Sequence, residues 1–213
     1  LKVIEPSYEI LTEIDGAKIL KLLELSGRVC YKSEDKITDD SHIQFVDKIC
    51  NAYQHESVIE HFNITVKFIH NRGFTHELVR HRLSSFSQES TRYANYSKDK
   101  FGNEITVIKP YWLDGDLSAE KIKAYEIWEK AMGEVEQAYL KMLEHKLQPQ
   151  AARGVLPNDL KTEIVTTSNL RQWKNIFKLR TSKTAHPDMR RIMIPLLNEF
   201  KSKIPVIFDK IEV

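Results

Sequence analysis

Between residues 62 and 70 the apolar pattern changes period, and that change limits the folds open to the chain. Phe62, Ile64, Val66 and Phe68 alternate with Asn63, Thr65, Lys67 and Ile69, the two-residue repeat of a strand with one buried face. On both sides the spacing is helical. Ile19, Leu20, Leu22, Leu23 and Val29 predict a helix over 16–31. A second helix, carrying Ile43, Phe45, Val46 and Ile49, is expected after Thr38-Asp39-Asp40, whose side chains suit an N-cap. After Asn71-Arg72-Gly73 helical spacing resumes with Phe74, Leu78 and Val79 and runs into Arg80-His81-Arg82. The Ser-rich segment 83–92 is expected to leave that helix as a loop.

Further strands are expected at 1–5, at 104–108 before Pro110, and at 161–168. Further helices are expected at 118–146, 169–180 and 187–204, the last with Pro187 in its first turn. The helix at 118–146 is the longest. Ile122, Tyr125, Trp128, Met132, Val135, Tyr139 and Met142 recur every three or four residues along it, an apolar stripe for the core or for another subunit. Strands and helices do not alternate regularly, so the fold class is α+β: helix-rich, with a central, mostly antiparallel sheet. No repeat, low-complexity tract or linker interrupts the chain, which reads as a single domain over 1–213.

Charge and glycine content narrow the function. Thirty-two Lys and Arg against 30 Asp and Glu leave a net charge of +2, too mild for a dedicated nucleic-acid binder. Only seven glycines occur, and none forms G-x-G-x-x-G or G-x-x-x-x-G-K-[ST]. A Rossmann dehydrogenase and a P-loop kinase are therefore disfavoured. Any bound phosphate must be met by arginine side chains, of which Arg80, Arg82 and Arg92 cluster, with Arg153, Arg171 and Arg180 following. Taken singly, each arginine on a helix is more often a surface residue in a weak ion pair. On a continuing helix Arg80 and Arg82 point roughly 200° apart. They could then serve two ligands, or two parts of one, with His81 between them.

Competing chemistries find less support. Ser90 near His81 could be a hydrolase pair, but no G-x-S-x-G elbow is present, and Ser90 is expected to hydrogen-bond a ligand instead. His55, Glu56, Glu60, His61, His76 and His81 are potential metal ligands without H-E-x-x-H or paired C-x-x-C spacing, so no metal is expected. Residues 72–92 could be a basic recognition helix with an arginine arm, against which the near-neutral charge argues. Cys30 and Cys50 have apolar neighbours and are expected to be reduced and core-like, in a cytoplasmic protein. The segment Leu1 to Pro6 lacks the apolar run of a signal peptide, and no stretch approaches a membrane span.

Residues 80–93 read Arg-His-Arg-Leu-Ser-Ser-Phe-Ser-Gln-Glu-Ser-Thr-Arg-Tyr. This run resembles the signature of flavin-dependent thymidylate synthases, Arg-His-Arg followed by seven residues and a Ser. Upstream, His55-Glu56-Ser57-Val58-Ile59-Glu60-His61 is similar to that family's His-Glu-[Ser/Thr]-x-x-Glu-His segment. Downstream, Ala152-Arg153-Gly154-Val155-Leu156-Pro157 resembles A-R-x-x-L-P, and Asn169-Leu170-Arg171, Asn175 and Leu179-Arg180 resemble the helix that follows. The matched segments span about residues 28 to 190.

The resemblance implies a fold of the flavin-dependent thymidylate synthase type, tightly bound FAD, reduction by NADPH, and conversion of dUMP to dTMP. Methylene-tetrahydrofolate would donate the carbon and leave as tetrahydrofolate. It also implies homotetramers whose active sites draw on several subunits. On this pattern Ser57, Arg80, His81, Arg82, Gln88, Asn169, Arg171 and Asn175 would hold the flavin, with His55 and Glu60 bordering it. Gln88, Glu89, Ser90, Thr91, Arg92 and Arg153 would hold dUMP, and Glu77, Leu78, Val79 and Arg80 would approach it from another subunit. Arg180 would be catalytic, against the uracil ring. The sequence departs from the commonest pattern at Glu77, where Gln is frequent, at Ser87-Gln88, where Asn-Glu is frequent, and at Thr91, where Gly is frequent. A carboxylate at 77 needs a neutralising Arg beside a phosphorylated substrate.

Overall fold

Two asparagines turn strands directly into helices. Asn71 Oδ1 accepts from the Phe74 N–H and Asn169 Oδ1 from the Gln172 N–H, both at 2.8 Å. Each satisfies one of the orphan donors of a helix N-terminus. The computed structural model describes residues 1–115 and 117–213. In chain order its strands are β1 (Lys2–Ile4), β2 (Ser7–Ile10), β3 (Asn63–Asn71), β4 (Ser85–Gln88), β5 (Thr106–Ile108) and β6 (Lys161–Asn169). Its helices are α1 (Gly16–Tyr31), α2 (Ser41–Asp47), α3 (Arg72–Leu78), α4 (Ala119–Glu144), α5 (Pro149–Ala152), α6 (Leu170–Arg180), α7 (Pro187–Lys203) and α8 (Pro205–Phe208). Asn71 thus joins β3 to α3, and Asn169 joins β6 to α6.

The principal sheet has four strands in the order β2-β3-β6-β4, and β1 pairs in parallel with β5. The Leu170 N–H donates to the Phe62 carbonyl, and the Arg72 N–H to that of Asn158. One strand therefore rises as the other falls, which makes β3 and β6 antiparallel. On β3 the side chains of Ile64, Val66 and Phe68 are fully buried, and on β6 those of Thr162, Ile164, Thr166 and Ser168. The class is α+β and helix-rich, with an antiparallel sheet.

The described residues group into two compact units. One comprises 1–7, 68–80 and 87–164. Its core is Tyr96, Ile105, Val107, Tyr139, Ala152 and Leu160, with Trp128, Met132, Val135 and Met142 of α4 packed against it. Most of the α4 stripe thus serves the core, although Ile122 is 48% exposed. The other comprises 8–67, 81–86 and 165–213. There Trp173, Phe177, Phe200 and Phe208 form a chain of rings with centroids 5.0–5.8 Å apart. Gly27 lets α2 approach α1: a Cβ at that position would stand 2.7 Å from Phe45 Cε1.

Several expectations need correction. The third helix ends at Leu78, so Arg80-His81-Arg82 lies beyond it and the 200° divergence does not apply. The apolar spacing runs out after Leu78, and the chain has six residues in which to become the extended strand β4. Residues 85–88 are that strand rather than loop. Ser85 and Ser87 are exposed while Phe86 and Gln88 are half-buried, a period of two hidden by serine composition. At α2, Asp40 makes no capping bond through its side chain, and Ser41 Oγ accepts from the Thr38 N–H instead. Cys50 is buried but Cys30 is exposed, as are Leu22 and Val29 on α1. The apolar residues of that helix exceed the one face its packing covers.

Candidate active site

In the unit that contains α6, the helix presents Arg171, Lys174 and Lys178 at spacings of three and four, which is one face. That face lines a cleft of about 580 Å³ together with Asn169, Gln172, Asn175, Glu56, Glu60 and Leu83. The carboxylates come from a 3-10 turn at Glu56–His61. Arg171 Nη1 lies 2.6 Å from Glu60 Oε1, Arg171 Nε 3.6 Å from Glu56 Oε2, and Lys174 Nζ 2.5 Å from Glu56 Oε1. Burial alone would raise the Glu56 carboxyl. The Lys174 hydrogen bond and charge, with Lys178 and Arg171, outweigh burial and hold it below its ordinary value.

The structure thus gathers Glu60, Asn169, Arg171 and Asn175 around one cleft. Ser57 is exposed on the same 3-10 turn. His55 stands at the start of that turn, with Nδ1 3.0 Å from the Tyr31 hydroxyl. Arg82 is exposed and His81 is 6% exposed. Arg180, the last residue of α6, donates from Nε to His81 Nε2 at 3.0 Å.

In the other unit, Gln88 Nε2 donates to Thr75 Oγ1 of α3 and to Thr162 Oγ1 of β6, at 3.0 and 3.3 Å. The Glu89 carboxylate accepts from Lys161 Nζ at 3.1 Å and from the Tyr96 hydroxyl at 3.0 Å. Burial, followed by the Glu89 charge and hydrogen bond, raises the Tyr96 phenol. For Lys161 burial pulls the other way, but Glu163 and Glu89 together leave its ammonium raised. The Ser90 carbonyl accepts from the Tyr93 and Ala94 N–H groups, and its Oγ from the Arg92 N–H at 3.3 Å. This tight turn points Arg92 toward Gln150, with Nε 3.2 Å from Oε1. Arg153 Nη1 reaches Thr91 Oγ1 at 3.4 Å across 62 residues. Glu77 is half-buried, Val79 and Arg80 are exposed, and the Leu78 side chain is wholly within the core.

Two residues escaped the sequence reading. Lys174 faces the cleft although it is largely buried. Its three- and four-residue spacing from Arg171 and Lys178 was the available signal. Arg72, in the first turn of α3, has a buried Nη1 with no hydrogen-bond partner among the described residues. A buried, unpaired guanidinium nitrogen is costly and suits an anion. Among the described residues no group of three or more His, Cys, Asp or Glu is placed to hold a metal ion. None of their helices is long and apolar enough to cross a membrane.

The family model for thymidylate synthase complementing protein matches residues 14–206. The chain belongs to that family of enzymes, the flavin-dependent thymidylate synthases. It is 32% identical to the flavin-dependent thymidylate synthase of Mycobacterium sp. (strain JLS), over 94% of this chain and 83% of that protein. The corresponding protein of Geobacter sulfurreducens is 33% identical, over 86% of this chain and 78% of its own length. In structure the chain is similar to the UMP/dUMP methylase PolB from Streptomyces cacaoi, crystallised with 5-Br dUMP. The TM-score is 0.81 at 18% identity, over 98% of this chain and 96% of that one. This second likeness establishes a shared fold.

Proposed function

We propose that the chain, acting as a single catalytic domain, methylates dUMP to dTMP. Methylene-tetrahydrofolate is the carbon donor, FAD and NADPH provide the reducing equivalents, and tetrahydrofolate is released. The observation that carries this reading is the cleft on α6, where residues of the family pattern meet a donor set suited to a dinucleotide cofactor. Its volume lies within the range of small-molecule sites. Arg171, Lys174 and Lys178 offer charge to phosphates. Asn175 and Gln172 offer amides to ring edges, and Asn169, with its oxygen spent on the helix cap, still has an NH₂ to donate. When bound, the flavin supplies the hydride. Glu60, His55, Ser57, His81 and Arg82 border its place, with Arg80 and Gln88 assigned to it from the family pattern.

The chain's own residues do the rest by charge and position. Arg92 and Arg153, with Ser90 and Thr91, take the dUMP phosphate and sugar through charge-assisted hydrogen bonds. We assign Arg72 to the same phosphate because its buried Nη1 has no hydrogen-bond partner among the described residues. Gln88 and Glu89 are held by α3, β6 and Lys161 and border the same ligand. Glu77, Val79 and Arg80, with the main chain of Leu78, approach dUMP from a second copy in a homotetramer. Arg180 activates the uracil: a guanidinium beside the ring stabilises the negative charge that makes C5 nucleophilic. Arg stays protonated at any working pH, so this requires no proton transfer. The enzyme works in the cytoplasm, without a nucleic-acid or membrane partner.

The purified protein should be yellow and, given dUMP, methylene-tetrahydrofolate and NADPH, should form dTMP and tetrahydrofolate. A colourless protein that takes up no FAD, or dihydrofolate as the folate product, would overturn this reading.

A further inference from the structure

We infer that His81, the middle residue of the Arg-His-Arg run, is a positioning residue for Arg180. This rests on the proposed activating role of Arg180.

The bond itself fixes the proton. A guanidinium is donor-only, so the 3.0 Å contact from Arg180 Nε requires a lone pair on His81 Nε2. The imidazole is then neutral, with its proton on Nδ1. The ring is 6% exposed, so the acceptor is rigidly placed and shielded from water. Arginine is otherwise a long and mobile side chain. With Nε held, the plane of the guanidinium is set, and the directions of its terminal amino groups follow. Arg180 is half-buried at the end of α6, and His81 holds its side chain beyond the helix itself.

The choice of a neutral acceptor also has a consequence for charge. A carboxylate at position 81 would orient the guanidinium and at the same time subtract from its positive charge. A neutral imidazole orients it without doing so. An arginine that must stabilise charge developing on a ring needs its field directed at that ring. Small displacements of such a group are costly in rate.

The test is a double-mutant cycle with His81→Leu, which removes the acceptor, His81→Gln, whose Oε1 restores one, and Arg180→Ala. Rates are taken at saturating dUMP and expressed per bound flavin, the flavin being measured by absorbance. His81→Leu should slow turnover roughly ten- to a hundredfold, and His81→Gln should recover most of it. In the Arg180→Ala background His81→Leu should change the rate by less than about twofold. If the two losses multiply, or if His81→Gln is as slow as His81→Leu, the inference is wrong. Nitrogen-15 NMR of the imidazole decides the pairing without turnover. A proton on Nε2, or an Nε2 resonance indifferent to Arg180→Ala, would overturn the inference. Wild-type protein that makes no dTMP would instead defeat the reading of Arg180, with the NMR result still deciding the hydrogen bond.

Discussion

Lys174 Nζ and Glu56 Oε1 lie 2.5 Å apart and tie α6 to the 3-10 turn at 56–61 across 118 residues of chain. Lys174 is largely buried and Glu56 partly so, so water screens this pair less than a surface pair. The Glu56 carboxyl is held below its ordinary value of 4.5. A carboxyl depressed in the folded state contributes stability that is complete above the unfolded value and is lost as pH falls through the folded one. The stability difference between wild type and Glu56→Gln should therefore be constant from neutral pH to about 4.5 and shrink in stronger acid. Urea titrations at several pH values measure it. A difference that grows on acidification would contradict the pairing.

Arg180→Ala should lower dTMP formation by about a thousandfold, the scale for losing one charge-stabilising donor, while the protein stays yellow. Arg180→Lys should recover little, because an ammonium lacks the planar fork. Turnover assays and flavin spectra together check both statements.

Arg153→Ala and Arg72→Ala should each raise the KM for dUMP by roughly ten- to a hundredfold, the value of a hydrogen bond to a charged group. Deoxyuridine, which has no phosphate, should bind the variants and wild type alike. Calorimetric titration of both ligands would show it, and an equal loss for deoxyuridine would move these arginines away from the phosphate.

The two thiols should differ in reactivity. Burial pushes the Cys50 thiol up to about 11, the Glu56 and Asp47 charges adding to this against Lys174, and only the thiolate attacks disulfide reagents. Cys30 is exposed. At pH 8 an aromatic disulfide should titrate one thiol per folded chain quickly, and the second only in denaturant. Cys30→Ser should abolish the fast phase.

Trp173→Ala should destabilise the protein by about 3–5 kcal/mol, as for other buried aromatic truncations. Trp173 is fully buried, and its indole N–H donates to the Ile64 carbonyl at 3.0 Å. Trp173→Phe should cost less, about 1 kcal/mol from the lost hydrogen bond to the Ile64 carbonyl, plus the smaller loss of packing. Chemical denaturation of both variants gives the two values.

Local pattern was enough for most elements. The alternation at 62–70 became β3, and the spacings at 16–31, 169–180 and 187–204 became α1, α6 and α7, because side-chain period and burial are two views of one geometry. The motif residues were legible as residue types in order along the chain. Placement of residues 80–88 was less legible. After Leu78 only the lapse of apolar spacing marks the end of the helix, and the strand that follows depends on a pairing partner, β6, some eighty residues away. The edge strand β4 was hidden for the same reason, and so was the solvent face of α1 that holds Leu22, Val29 and Cys30.

The sequence by itself therefore determined the class of fold and the family pattern that runs from His55 to Arg180. Those are properties of composition, period and order. Only the tertiary structure decided that Arg180 rests on His81, that Lys174 belongs to the cleft, and that Arg72 keeps a buried nitrogen without a partner among the described residues. These are contacts or missing contacts between distant positions. Their energies depend on burial and on directions in space, which a linear order does not contain.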